Sequence, residues 1–392
     1  MPGFSYEQLT RVPFVMKMIS EIQSPGTTFQ RFYNIGLTDR PAQILPHRSG
    51  VYDIFNPTRG MPVSRAPMSG PARVARKPVA QKAITVPRFY EAMIIEDEYV
   101  FRNRPLGGQY GVVDEAGQSY IARQVKHEIT KFYTLHEFMA VQSMRGGWAL
   151  KRYGEDLLPV PLGTAGAELT FNTLVESTAR GQLTLGGPDG DQDIIDASWD
   201  DPATDIIQQL MNLDKVHARR HGAPLRHIWG NATTLSPLFN NTVLAKVGGT
   251  SFRIYDSMTK REIDPNMKYP DTGVDIVFRA YPLVTFHIYN QVYIPGLVNE
   301  GRDAQTDIAN IEYLIPDGEI IITPDSGDWI EKVAGTEPVQ FSLNEAPRYA
   351  SGFTMGRSRE IEPPRWDLKF MYNGAPVLVQ PNASYNPTVI FG

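Results

Sequence analysis

Between Gln118 and Met144, apolar side chains recur at Ile121, Val125, Ile129, Phe132, Leu135, Met139 and Val141. This is the three-and-four spacing of one helical face. No glycine or proline interrupts the stretch before Gly146-Gly147, and glycine just past the last apolar position is the usual helix stop. At about 1.5 Å per residue the predicted helix runs roughly 40 Å, long for a globular domain. A single apolar face of that length needs a cover, so residues 118–144 are expected to be a spine on which the rest of the chain is hung. Two polar pairs on the helix, His127-Glu128 and His136-Glu137, are expected on its solvated side.

The pattern on either side is different. Residues 1–37 read as an arm, with Ser5 capping a short helix to about Ile22 and Ser24-Pro25-Gly26 breaking it. Residues 38–90 carry prolines at 41, 46, 57, 62, 67, 71, 78 and 87. Proline fixes φ and lacks an N–H, so this stretch is neither a central strand nor a helix interior. It predicts a long extended hairpin with edge strands at 50–55 and 83–87. After the spine come short strands near 169–173 and 182–185. Asp201-Pro202 then opens a second helix with a capping acid and proline at its first position. Ile206, Leu210, Leu213 and Val216 form its apolar face, and Gly222 ends it. From Leu225 onward β patterning dominates, with strands at 225–229, 251–255, 274–281, 284–289 and 319–323 and a helical turn at 234–239. Residues 366–372 and 375–379 read as two strands meeting at Asn373-Gly374, a frequent hairpin signal. The fold class is α+β.

Composition narrows the reading. The 392 residues are 42% hydrophobic and 21% charged, with 31 prolines and 33 glycines, a folded rather than a disordered chain. No cysteine is present, which excludes disulfides and thiolate metal sites and suits a reducing compartment. The N-terminal stretch lacks the apolar core of a secretory signal, and no apolar run approaches the roughly 18 residues of a membrane helix, so a soluble protein without a membrane partner is expected. Net charge is −5, but it is unevenly spread. Residues 51–90 hold seven bases, Arg59, Arg65, Arg73, Arg76, Lys77, Lys82 and Arg88, against the single acid Asp53, and the remainder carries −11. A basic arm on an acidic body favours contact between copies. These seven bases are the expected intersubunit contact residues. Nucleic acid is the weaker alternative for them, because only Phe89 and Tyr90, at the end of the segment, could stack on bases.

Catalytic signatures are missing. Asp189, Asp191 and Asp193 alternate as in a calcium loop, but Ile194 stands where glycine is required and Asp200 where glutamate is required, so a solvated turn is the better account. Neither His-Glu pair on the spine is followed by histidine at the HExxH spacing. His217, His221 and His227 are the nearest histidine set, and they do not form a ligand cluster in sequence. There is no GxSxG elbow, Walker loop or GxGxxG. Paired glycosidase carboxylates leave no local signature and stay open. No catalytic residue, metal or cofactor is expected, and the chain reads as not an enzyme.

Several segments, in order, are similar to the major head protein of phage lambda and its relatives, the tailed-phage capsid fold of the Hong Kong phage type. They are the N-terminal SYEQL, Trp199-Asp200-Asp201-Pro202-Ala203-Thr204-Asp205-Ile206, Tyr313-Leu314-Ile315-Pro316-Asp317-Gly318-Glu319-Ile320-Ile321 after Tyr289 and Tyr293, and Phe370-Met371-Tyr372-Asn373-Gly374-Ala375-Pro376-Val377-Leu378 with Pro381-Asn382. The hairpin is longer and richer in proline than the family pattern, and extra residues lie around 299–310. The resemblance implies an N-terminal arm (1–37), an extended loop (38–95), a peripheral domain with the spine helix (96–224), an axial domain (225–345) and a C-terminal return to the peripheral domain (346–392). It implies a virion capsid subunit, assembled in the host cytoplasm, that builds an icosahedral head from hexamers and pentamers. Decoration, portal and scaffolding proteins are its further partners, and packaged double-stranded DNA a weak non-specific one. The alternative is another virion component, such as a tail-tube or decoration protein; an enzyme with a β-rich binding domain is a more distant one. On this reading a cationic flap and a single-faced rod both find their counterparts on sister copies.

Overall fold

The computed structural model describes residues 28–54, 80–96, 115–153, 156–172, 184–185, 192–193, 195–220, 224–247, 258–261, 275–278, 281–293, 312–325, 327–341, 346–360 and 365–390. The architecture is α+β, with several small sheets and few helices. Two compact units divide the chain, one of residues 1–50, 83–140 and 331–377, the other of 51–82, 141–330 and 378–392. The arm helix expected before Ile22 and the strand at 251–255 lie outside the described residues. No described helix is long and apolar enough to cross a membrane.

The first unit is a five-stranded sheet with the spine helix on one face. Its strands run in the order Gln43–Leu45, Ile330–Val339, Arg348–Glu360, Arg365–Leu378, Phe89–Glu96. The first pair is parallel and the others are antiparallel. The helix, Glu115–Met144, buries Ile121, Val125, Ile129 and Phe132 as its spacing predicts. Phe132 packs edge-on against Phe353 with centroids 5.6 Å apart, and near Phe370 at 6.3 Å. The spine's apolar face is therefore covered by the chain's own sheet, not by a sister copy. The two long strands at 348–360 and 365–378 supply enough apolar surface to do so. Nor is the rod single-faced throughout: Leu135 is only half-buried, and every residue from His136 to Met144 is buried.

This burial reverses the expectation for His136 and Glu137, which are both inaccessible. The Glu137 carboxylate accepts the backbone N–H groups of Phe29 at 2.8 Å and Gln30 at 3.1 Å. These N–H groups lie at the start of the short helix Thr28–Phe32, where a helix lacks intrahelical acceptors for its first donors and offers positive potential. His136 lies next to it in the same network. Its Nε2 is 2.6 Å from the Ile35 carbonyl, and a carbonyl can only accept, so Nε2 carries the hydrogen. The Tyr372 hydroxyl then donates to His136 Nδ1 at 2.7 Å. Burial pushes the His136 pKa down to about 3 and raises that of Tyr372, in keeping with a neutral ring. Lys332 completes the clamp by donating Nζ–H to the carbonyls of Gly36, Leu37 and Asp39. Burial lowers its pKa to about 8.

The closing hairpin is placed differently from its sequence signal. Asn373-Gly374 lies inside one continuous strand, Arg365–Leu378, with Asn373 opposite Gly352. The antiparallel partner is the 348–360 strand, and the ladder runs from that pair to Glu360 opposite Arg365. Glycine serves at 374 because the Tyr372 ring lies over its own strand there; a Cβ would come within 2.7 Å of the ring hydroxyl. Gly356 has a similar role, since a Cβ there would stand 2.0 Å from the Phe341 ring.

The second unit is organised around a sheet in the order Met258–Arg261, Asp275–Phe278, Tyr281–Ile288, His227–Gly230, Ile321–Thr323. Helix Ile206–Arg220 contributes Ile206, Leu210, Leu213 and Val216 to a core shared with Trp199, Ile228, Phe286, Ile322, Tyr385 and Val389. The apolar face of this helix matches its spacing; its start does not. Asp205 caps it by accepting from Gln208 N at 3.0 Å, while Asp201 accepts from Ala203 N in the preceding turn. The acid five residues before the helix proper thus closes a turn, because Thr204 Oγ1 bonds back to the Ser198 carbonyl and holds that loop closed. Residues 378–390 join this unit through bridges from Glu319 to Thr388 and from Ile322 to Tyr385. Arg145 binds both oxygens of Glu319 at 2.9 and 3.1 Å, and Asn386 donates to the same carboxylate at 3.2 Å.

Two predictions come from the Glu137 and His136 network. Glu137→Ala leaves two buried N–H groups without acceptors, an expected loss of about 2–4 kcal/mol read by urea unfolding. The His136 pKa is lower in the folded chain than its ordinary value of about 6.5, so the unfolded chain takes up the proton first. Stability should fall as pH descends from about 6.5 toward 3, and His136→Gln should flatten that dependence in urea midpoints.

Candidate intersubunit surface

Of the seven bases expected at an intersubunit contact, Arg59, Arg65, Arg73, Arg76 and Lys77 lie outside the described residues. Lys82 and Arg88 stand at the foot of the hairpin. Its strands, Ser49–Ile54 and Ala80–Thr85, pair as a two-stranded sheet close to the predicted spans. Ser49 Oγ meets Thr85 Oγ1 at 3.0 Å, and Gln81 Nε2 donates to Asp53 at 3.0 Å. Tyr52 and Ile54 are buried while Val51 is 47% exposed, so the base of the hairpin has one inner and one outer face. Burial raises the Tyr52 hydroxyl to about 12 and lowers the half-buried Lys82 ammonium.

Arg88 has partners within its own chain. Its guanidinium donates to Glu337 at 3.0 Å and lies 4.9 Å from the Tyr90 ring centroid. Being partly exposed, this pair contributes little to stability, and it orients the start of the Phe89–Glu96 strand.

That strand is the feature the charge pattern did not reveal. It is the outermost strand of the first unit's sheet. Met93 and Ile95 point into the core, whereas Tyr90 and Ile94 are 43% and 50% exposed. At the opposite edge, Gln43–Leu45 exposes Ile44 to the same degree as Ile94. Among the described residues, both edges of this sheet therefore lack a further strand and present apolar side chains. Soluble proteins ordinarily guard against this arrangement because it invites strand pairing. The alternation in FYEAMIIE was the available sequence signal. In the second unit, Val292 and Tyr313 are paired across a two-stranded ladder and both exposed.

The remaining sequence candidates are dispersed. Asp189, Asp191 and His221 lie outside the described residues, and Asp193 is in the two-residue strand Gln192–Asp193. His217 is buried, with Nε2 3.0 Å from the Ala383 carbonyl. His127 is exposed. His227 contacts His287, a pairing that sequence spacing did not suggest.

No family model and no curated protein matches the chain. Among solved structures it is similar to a phage-related protein from Bordetella bronchiseptica RB50, over 96% of each chain at 10% identity, with a TM-score of 0.49. It is similar to the putative capsid protein of a prophage of E. coli CFT073, over 79% of each chain at 9% identity, TM-score 0.45. A third is the satellite phage P4 procapsid, matched over 100% of this chain and 94% of that one at 11% identity, TM-score 0.43.

If the edge strand is a contact surface, Ile94→Lys should leave urea stability within about 0.5 kcal/mol, as surface changes usually do. It should also reduce self-association measured by sedimentation.

Proposed function

We propose that this chain is a non-catalytic shell subunit, the major capsid protein of a tailed phage, assembling with copies of itself as hexamers and pentamers into an icosahedral head. The observation that carries the reading is a sheet whose two outer strands pair with no further strand among the described residues, together with a cationic, proline-rich segment in an otherwise acidic sequence. Such a chain leaves strand edges and charge that identical neighbours can satisfy. The ordered set of segments resembling the lambda-type head protein supports the same assignment. On it, residues 96–224, with the spine helix, are the peripheral domain. Residues 225–345 are the axial domain, 38–95 the extended loop and 346–392 the return to the peripheral domain. The cations from Arg59 to Lys82 then meet acids on an adjacent subunit, while Arg88 is held by Glu337 of its own chain. Portal, scaffolding and decoration proteins are further partners, packaged DNA makes weak contact, and the protein acts in the virion after assembly in the host cytoplasm.

Each subunit would bury more than the standard interface of about 1,600 Å² once edges and loop are counted. Several weak contacts per subunit hold a shell together by multivalency.

Electron microscopy of the expressed chain tests the reading: closed shells support it, and tubes or unassembled protein overturn it. Deleting residues 57–79, which spares the Ala80–Thr85 strand, should leave a folded protein that forms no shells; particles at normal yield would remove the loop from the assembly mechanism. Replacing Arg73, Arg76 and Lys77 with Glu should weaken assembly most at low salt, where charge acts over the longest range. Light scattering across ionic strengths reads the effect.

A further inference from the structure

Asn373-Gly374 is the one asparagine–glycine pair in the sequence, and of all dipeptides this is the most prone to intramolecular deamidation. The glycine nitrogen attacks the asparagine amide carbon and closes a five-membered succinimide. With no Cβ beside it, that nitrogen is uncrowded and its backbone can turn toward the amide. The fold requires the pair and also holds it inert.

Glycine is required at 374 because Tyr372 fills the space of a side chain: a Cβ there would stand 2.7 Å from the ring hydroxyl and 2.8 Å from ring carbons. The ring has little freedom to move aside, since it is fully buried and its hydroxyl donates to His136 Nδ1 at 2.7 Å. Alternation along the strand sets Asn373 on the opposite face. It is 0% exposed, and its Nδ2 donates to the Ala350 carbonyl of the Arg348–Glu360 strand at 3.4 Å. Among the described residues, its Oδ1 accepts no hydrogen bond.

The pair lies inside the continuous strand Arg365–Leu378, with Asn373 opposite Gly352. Extended backbone turns the Gly374 nitrogen away from the Asn373 amide carbon. Burial excludes the water that would carry protons and later open the ring. In a chain whose sheet is open, neither restraint applies.

We propose that Asn373-Gly374 is a fold-guarded deamidation site: inert in the completed sheet, it reacts in chains whose Arg365–Leu378 strand is unpaired and bars them from refolding. The Gly374 nitrogen bonds to Asn373 Cγ, and its proton departs with the side-chain nitrogen as ammonia. Water then adds across either carbonyl–nitrogen bond of the succinimide and gives aspartate or isoaspartate, with no change of oxidation state. Both products misfit. Aspartate sets an acceptor oxygen against the Ala350 carbonyl where Nδ2 had donated, in a site without exposure. Isoaspartate routes the main chain through Cβ, and the added atom disturbs the alternation of the buried Ala375, Val377 and Leu378.

Peptide-mapping mass spectrometry of the full-length chain, aged native or unfolded in guanidinium at mildly alkaline pH, tests this. Unfolded samples should show the amide-to-acid mass gain at Asn373, and native samples should lag at least about tenfold, because reaction waits on opening of the strand. After dilution, the fraction that fails to recover near-ultraviolet circular dichroism should match the fraction modified, and the refolded pool should be unmodified. Gly374→Ala, compared only in the unfolded state where its clash is irrelevant, should slow the reaction about tenfold. Asn373→Asp should lower the urea midpoint. That loss should shrink as pH falls, because burial raises the new carboxyl above its unfolded value and the folded chain takes up the proton first. Equal rates in native and unfolded samples, no reaction in the unfolded chain, an unchanged rate in Gly374→Ala, full refolding of modified chains, or wild-type stability in Asn373→Asp would each overturn the proposal. Should Asn373→Asp fail to fold, the wild-type ageing series decides the matter without it.

Discussion

A carboxylate taken out of water must find donors or lose its charge. Glu137 finds two, the leading amides of a short helix more than a hundred residues earlier in the chain. That one contact determines much of the first unit. It fixes where Thr28–Phe32 ends on the spine, brings the Ile35 carbonyl to His136, and sets Gly36–Asp39 within reach of Lys332. The network is polar, buried and geometrically exacting, whereas the Phe132 contacts with Phe353 and Phe370 are apolar and tolerant. Apolar burial gives the unit its cohesion, and the Glu137 network gives one register to the contact.

Long apolar periods were legible in the sequence, and single polar residues were not. Ile121, Val125, Ile129 and Phe132 are buried as their spacing requires, as are Ile206, Leu210, Leu213 and Val216. The proline-flanked hairpin was recognised from fixed φ and missing donors, and its strands fall within a few residues of their predicted places. His136 and Glu137 were misplaced because polarity normally marks a solvated face; here the partners that permit burial lie far away in sequence. Asn373-Gly374 was misread because a turn dipeptide also suits a strand in which a neighbouring ring occupies the glycine's side-chain space. Asp201 and Asp205 compete for one helix start, and the choice depends on a loop bond from Thr204 that sequence spacing does not reveal.

The candidate surface was visible only in part. A concentration of Arg and Lys is evident in any charge count, but the place of Phe89–Glu96 as the outer strand among the described residues depends on sheet order, a property of topology. Arg88 illustrates the difference: a loop cation by sequence, it is in fact held by Glu337 and Tyr90 of its own chain. Likewise, His227 and His287 are sixty residues apart and meet only because their strands run side by side.

The strand order of the first unit also has a temporal consequence. Gln43–Leu45 pairs with residues 333–335, and Phe89–Glu96 with 365–372, so neither can reach its partner until the ribosome has passed residues 335 and 372, respectively. Contacts of such long separation close slowly, and the early segments must wait until those residues emerge. A nascent chain cannot complete this sheet before the Arg365–Leu378 strand has been made.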